Sequence, residues 1–208
     1  MKNRISQIGF IAGAFSVVCQ WVLSLEKASG NGISMFDQSV RYFSYMTVWT
    51  NIFITLCFAS VSFFDNSSRL QFFKKTTVQT GALVYILIVG VAYHFLLSST
   101  FQPTGLEWFA NLLLHYINPV LFLVFWLLVS EKVALPYPYA VRWMIFPVIY
   151  FFYSLIRGFI TDWYPYFFVD VTKLGYPQVL LTSLVLLAGY LLVGALIIFI
   201  GQKRAVKE

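Results

Sequence analysis

The sequence predicts an all-α polytopic membrane protein, six transmembrane helices in one bundle that makes a single domain over residues 1–208. Three observations carry this. Of the 208 residues, 60% are hydrophobic and 20% aromatic, and only 11% are charged, against about 25% charged in ordinary soluble domains. So little charge cannot cover a water-facing surface of this size, and most of the apolar surface must meet lipid. Apolar runs long enough to cross a bilayer recur six times, and turn-forming residues fall between the runs. Disorder, collagen and a secreted disulfide scaffold are excluded by the same numbers.

The first run, about Ile5 to Leu25, is too long for the apolar core of a signal peptide, and no small-residue cleavage motif follows it. Gly30-Asn31-Gly32 ends it. The second runs from about Tyr42 to Phe64 and stops at Asp65-Asn66-Ser67-Ser68; the third, Thr77 to Leu97, stops at Gln102-Pro103-Thr104-Gly105. Glu107 to Ser130 forms the fourth, closed by Pro136-Tyr137-Pro138, and Val141 to Thr161 the fifth. Gly175-Tyr176-Pro177 introduces the sixth, Pro177 to Gly201. Pro119 and Pro147 fall inside spans, where they are expected to kink them. No internal repeat supports an inverted-repeat transporter. Cys19 and Cys57 lie inside apolar runs, where a thiol behaves as a small hydrophobe.

The net charge of +6 sorts by loop. With six spans, one side carries Lys2, Arg4, Arg69, Lys74, Lys75, Lys132, Arg142, Lys203, Arg204 and Lys207, and the other only Lys27, Arg41 and Lys173. That bias predicts both termini in the cytoplasm. It also accounts for the basic excess without a nucleic-acid partner.

Polar groups are costly in hydrocarbon, so the informative residues are those inside the spans. Thr47, Thr50 and Asn51 share a face of the second span, and Asn111, His115 and Asn118 a face of the fourth. His94 lies near the end of the third and Arg157 near the end of the fifth. At about 1.5 Å per residue, Thr47 lies about 9 Å from the outer boundary, His115 about 12 Å, Arg157 about 7 Å and His94 about 6 Å. Four spans thus place polar groups in one layer of the outer half, as a pocket requires. Each also has a plain structural reading: a hydroxyl bonded to its own backbone for Thr47, packing glue for His115, snorkelling or an Asp162 pair for Arg157.

A hydroxyl beside an imidazole is an acyl-transfer nucleophile with its base, which makes Thr47 and His115 the candidate catalytic pair. Asn51, Asn111 and Arg157 are the candidate oxyanion or substrate-positioning groups. No Gly-x-Ser-x-Gly elbow, zinc motif or phosphate loop is present, and no cofactor or metal is expected. The runner-up class is non-enzymatic: an accessory subunit, or a binder of lipid or of haem held by His94 and His115, with the polar layer as structure. Channels and transporters want ionisable groups across the whole bilayer, and the inner half has almost none.

Tyr45-Met46-Thr47, Leu114-His115 followed by Pro119, and Thr161-Asp162-Trp163-Tyr164-Pro165-Tyr166-Phe167 resemble the androgen-induced and androgen-dependent TFPI-regulating membrane proteins. Over nearly its whole length the chain is similar to small bacterial six-span integral membrane proteins related to them. The resemblance implies an intramembrane hydrolase of lipid esters, such as fatty acid esters of hydroxy fatty acids, in the bacterial cytoplasmic membrane. It places the threonine nucleophile on Thr47 and the histidine on His115. Around His115 the chain departs from the animal pattern: the interval to the proline is one residue shorter, and acidic residues nearby are replaced by apolar ones.

Overall fold

The computed structural model describes residues 2–63 and 70–206, with Lys2 described by its backbone only; the expected turn at Asp65–Ser68, the end of the second run at Phe64, and the charges Arg69 and Lys207 lie outside them. Among the described residues there is no strand. Five helical stretches are long and apolar enough to span unbroken: 3–30, 76–97, 105–128, 138–161 and 171–205. A sixth span is broken, and helices at Met35–Tyr42 and Met46–Ser62 meet in a 71° bend. The chain divides into two compact units, one ending at Val133 and one beginning at Ala134.

The burial pattern is inverted relative to a soluble protein. Ile8, Ile11, Phe15, Val18 and Val22 form an exposed stripe on the first helix, as do Ile145, Ile149, Phe152 and Ile156 on a later one, while Ser, Thr, Asn, Gln and His side chains are buried. Such apolar stripes are stable only against lipid. The protein is therefore a multi-pass membrane protein.

In the first unit, α1 (Lys2–Gly30) packs on α3 (Met46–Ser62). Close approach depends on glycine: a Cβ on Gly9 would strike the Phe58 ring, and one on Gly13 the Thr55 hydroxyl. Small residues at such contacts let helix backbones meet without a hydrophobic driving force. In sequence between α1 and α3 stands α2 (Met35–Tyr42), whose N-cap Ser34 accepts the Asp37 N–H and donates its own hydroxyl to the Asp37 carboxylate. Trp21 Nε1 donates to Ser39 and the Tyr42 hydroxyl to the Val17 carbonyl, at 3.1 and 2.7 Å, and these bonds hold α2 against α1. The sequence reading that starts the second span at Tyr42 is corrected accordingly. Tyr42 closes α2, and α3 starts at Met46.

The short α4 (Gln71–Lys74) leads into α5 (Thr76–Ala92), which continues as a π-helical turn, Tyr93–Leu97. The fourth span is α6 (Gly105–Leu112), a second π-turn (Leu113–Ile117) and α7 (Asn118–Leu128). α5 packs on α3 and α7, and α6 and α7 pack on α1. Phe58, Phe122 and Phe125 meet edge-to-face or stacked at 5.0–5.3 Å and fill the centre of this unit.

The second unit has α8 (Pro138–Arg142), α9 (Ile145–Thr161), a 3₁₀ turn (Phe167–Val169) and α10 (Val171–Ala205). Pro147 stands in the first turn of α9, where a missing N–H costs nothing, so it marks a helix start and not the expected interior kink. The sixth span also begins earlier than Pro177, at Val171, but Gly175 breaks it with φ 72° and ψ 158°, at the expected turn. Asp170 caps α10 by accepting the Thr172 N–H at 3.0 Å. Burial alone would raise its carboxyl pKa, but the Thr172 hydroxyl and amide, with Lys173 nearby, pull it below the usual value.

Candidate functional site

The first unit carries a connected polar network, and its origin is a backbone irregularity. In an α-helix the Asn118 N–H would serve the Leu114 carbonyl; here it bonds Leu113, five residues back. Pro119 has no N–H to offer in its place. The released Leu114 carbonyl accepts instead from Asn51 Nδ2 on α3, at 3.2 Å, and the same amide donates to the Thr47 carbonyl at 2.9 Å. One fully buried side chain thus ties the backbone of Thr47 to the residue before His115.

Asn51 is itself held. Its Oδ1 accepts from Asn118 Nδ2 at 2.8 Å, and Asn118 Nδ2 also donates to Ser16 of α1 at 3.0 Å. The Ser16 hydroxyl in turn donates a hydrogen bond to the Gly13 carbonyl at 3.0 Å. Asn118 Oδ1 is buried with no partner in the structure.

His115 is buried beside this network, 9% exposed. Its Nδ1 lies 3.1 Å from the Asn111 carbonyl. A carbonyl only accepts, so Nδ1 carries the proton of the neutral ring and Nε2 holds the lone pair. The Tyr93 ring stacks on the imidazole with centroids 3.9 Å apart and planes 21° from parallel, and the Tyr93 hydroxyl accepts from Asn111 Nδ2 at 2.6 Å. Next along both π-turns, His94 Nδ1 meets the Tyr116 hydroxyl at 3.1 Å. The helices come this close because Gly90 has no side chain: a Cβ there would be 2.8 Å from the His115 carbonyl oxygen.

Thr47 is 8% exposed and stands in the first turn of α3, after the N-cap Tyr45. That turn is the positive end of the helix dipole. The sequence-based depth for Thr47, counted from Tyr42, is replaced by this placement at a helix start. Of the five candidate residues, the structure joins Asn51, Asn111, His115 and the Thr47 backbone in the first unit. Arg157 belongs to the second unit, where its guanidinium lies over the Trp163 ring at 4.9 Å in place of the Asp162 ion pair considered from sequence.

Sequence reasoning missed Tyr93, Ser16 and Gly90. Tyr93 is one of 13 tyrosines, and nothing in its neighbours sets it apart. Pro119 four residues after His115 was the readable sign of the second π-turn. Among the described residues no group of three or more His, Cys, Asp and Glu side chains can hold a metal ion. His94 and His115 bond different partners by their Nδ1 atoms. Compared with family models, with curated proteins and with solved structures, the chain gives no match.

Proposed function

We propose that this protein is an intramembrane hydrolase of lipid esters, with Thr47 as nucleophile and His115 as general base and acid. The observation that carries the reading is the pair of hydrogen bonds donated by Asn51 Nδ2, one to the Thr47 carbonyl and one to the carbonyl of Leu114, the residue before His115. The family motifs around both residues support the same pair. The Nδ1–H of His115, spent on the Asn111 carbonyl, leaves Nε2 as the base.

The chemistry follows in two balanced halves. His115 Nε2 takes the Thr47 hydroxyl proton as Thr47 Oγ bonds to the ester carbonyl carbon. The tetrahedral intermediate then expels the alkoxide, which receives that proton from His115, and the acyl group remains on Thr47. Water attacks the acyl-threonine with His115 again as base. The Thr47–acyl bond breaks, the proton returns to Thr47 Oγ, and a carboxylic acid leaves. The positive end of α3 beside Thr47 favours the negative charge that develops on oxygen in both halves.

The substrate enters laterally from the bilayer, since the site lies among spans whose outer faces are apolar. The sorting of loop charges supports both termini in the cytoplasm, and the resemblance to bacterial six-span membrane proteins supports a place in the cytoplasmic membrane. Purified wild type in nanodiscs is expected to cleave a long-chain ester and to react with a fluorophosphonate probe, both lost in Thr47→Ala. Unchanged labelling and turnover in that variant overturns the assignment. Absence of any turnover in wild type, with stability reduced by more than about 1 kcal/mol in Thr47→Ala and His115→Ala, would make the layer structural.

A further inference from the structure

We infer that Tyr93 is a positioning residue for His115, holding the plane of the imidazole and its tautomer through two separate contacts. The inference deepens the hydrolase reading and rests on it for its catalytic consequence. The single hydrogen bond from Nδ1–H to the Asn111 carbonyl fixes one atom of the ring. Rotation about the bond between Cβ and the ring still swings Nε2, the atom that must meet the Thr47 proton. The Tyr93 face, 3.9 Å away and 21° from parallel, blocks that rotation from one side.

The second contact makes the arrangement specific to tyrosine. The Tyr93 hydroxyl accepts from the side-chain amide of Asn111, and the backbone carbonyl of that same Asn111 holds Nδ1. Tyr93, Asn111 and His115 therefore form a closed triangle: a stack, a side-chain bond and a ring-to-backbone bond. A core aromatic needs no such closure. The backbone is adjusted on both sides of the triangle. Tyr93 opens the first π-turn, where the Ser98 N–H bonds the Tyr93 carbonyl five residues back at 2.8 Å, and His115 is the middle residue of the second. One turn before Tyr93, Gly90 admits the backbone of His115 itself. π-turns of this kind occur often at functional sites.

The test separates this claim from the hydrolase reading by observing the ring directly. The chain has two histidines, so ¹⁵N-histidine NMR in nanodiscs assigns His115 by comparison with His94→Gln. Wild type is expected to show a neutral His115 protonated at Nδ1 alone. Tyr93→Leu, which removes both contacts, is expected to show a mixture of tautomers. Tyr93→Phe keeps the stack and is expected to keep the tautomer. In ester turnover, Tyr93→Leu should lower kcat about 10²-fold with little change in KM, the scale of a misplaced catalytic group. The loss of one hydrogen bond in Tyr93→Phe should cost about 2- to 10-fold in kcat.

Thermal unfolding of each variant in the same nanodiscs identifies a folded sample. A folded Tyr93→Leu with wild-type tautomer and wild-type kcat overturns the inference. Where Tyr93→Leu fails to fold, Tyr93→Phe decides: unchanged kcat overturns it, and a reduced kcat at unchanged KM supports it. If wild type cleaves no ester, the hydrolase reading fails alone, and the tautomer of His115 in Tyr93→Leu still decides the role of Tyr93: a mixture supports it and the wild-type tautomer overturns it.

Discussion

The first unit contains two buried polar layers built from similar residues, and they differ in what they do to the backbone. At the end of the spans near residues 75 and 130, Ser130 donates to Gln79 Oε1 at 2.6 Å, Gln79 Nε2 to the Phe73 carbonyl at 3.1 Å, and Trp126 Nε1 to the Thr80 hydroxyl at 3.0 Å. Thr80 in turn bonds the Thr76 carbonyl four residues back. This layer lies at the ends of α5 and α7 with no π-turn inside either helix, and no buried polar atom described in this group lacks a partner. The layer around Asn51 and His115 interrupts two helices with π-turns, frees a backbone carbonyl, and buries an Asn118 oxygen with nothing to accept from. Polar glue is compatible with ideal helices. A layer that distorts them and stays incompletely satisfied fits the proposed chemistry better than packing alone.

The largest expected effect separates the layers by activity. Thr47→Ala should lower ester turnover by about 10³-fold or more, while Ser130→Ala, in the regular layer, should leave turnover within about twofold of wild type and lose only the energy of a hydrogen bond. Equal losses in both variants, read in the same nanodisc assay, would erase the distinction. Next comes Gly90→Ala. Its new methyl group must displace the His115 backbone oxygen, and overpacking of this kind costs about 1–3 kcal/mol. Gly30→Ala is the control, since a Cβ there meets nothing within 4 Å. A fall in Tm for Gly90→Ala that is no larger than for Gly30→Ala would show that the close approach of α5 is dispensable.

Asn118→Ala probes the network from its other end. It leaves Asn51 Oδ1 and the Ser16 hydroxyl without the donor they now share, and unmade buried hydrogen bonds cost about 1–3 kcal/mol, here offset in part by removal of the unpartnered Oδ1. The expected net loss in chemical unfolding is about 1 kcal/mol. Turnover should fall as well, because Asn51 then loses one of the contacts that orient it. A variant that is less stable yet fully active would detach Asn118 from the site.

The six-span fold was legible because burial in lipid demands long apolar runs, and the turn residues that separate them are chemically distinctive. Thr76–Leu97 starts within one residue of the run read from sequence and ends at the same one, since the apolar run and the helical stretch share their ends. The broken second span was not legible. Phe43, Ser44 and Tyr45 are not helix breakers, and the break depends on bonds from Trp21 to Ser39 and from Tyr42 to Val17, both made across the sequence. The same contrast governs the site. Asn51, Asn111 and His115 stood out against an apolar background and Pro119 marked the second π-turn, while the first π-turn carries no such residue and Tyr93 was hidden among chemically identical residues.

The smallest effect tests the regular layer on its own terms. Thr80→Val is nearly isosteric and removes the acceptor of the Trp126 indole N–H together with the bond to Thr76. In a membrane interior the unfolded helices also find partners, so an interhelical hydrogen bond contributes about 0.6 kcal/mol on average and seldom more than about 1.7 kcal/mol. Thr80→Val should therefore lower stability by about 0.6 kcal/mol, with kcat and KM of ester cleavage unchanged. Because Thr80 lies on the same helical stretch as Gly90 and Tyr93, about three turns before the first and three and a half before the second, it also asks how far a perturbation travels along α5. A change in kcat would mean that the two layers are mechanically coupled through that helix. Unchanged kinetics at reduced stability would confine the function of this layer to packing, and would leave the π-turns as the boundary between the two.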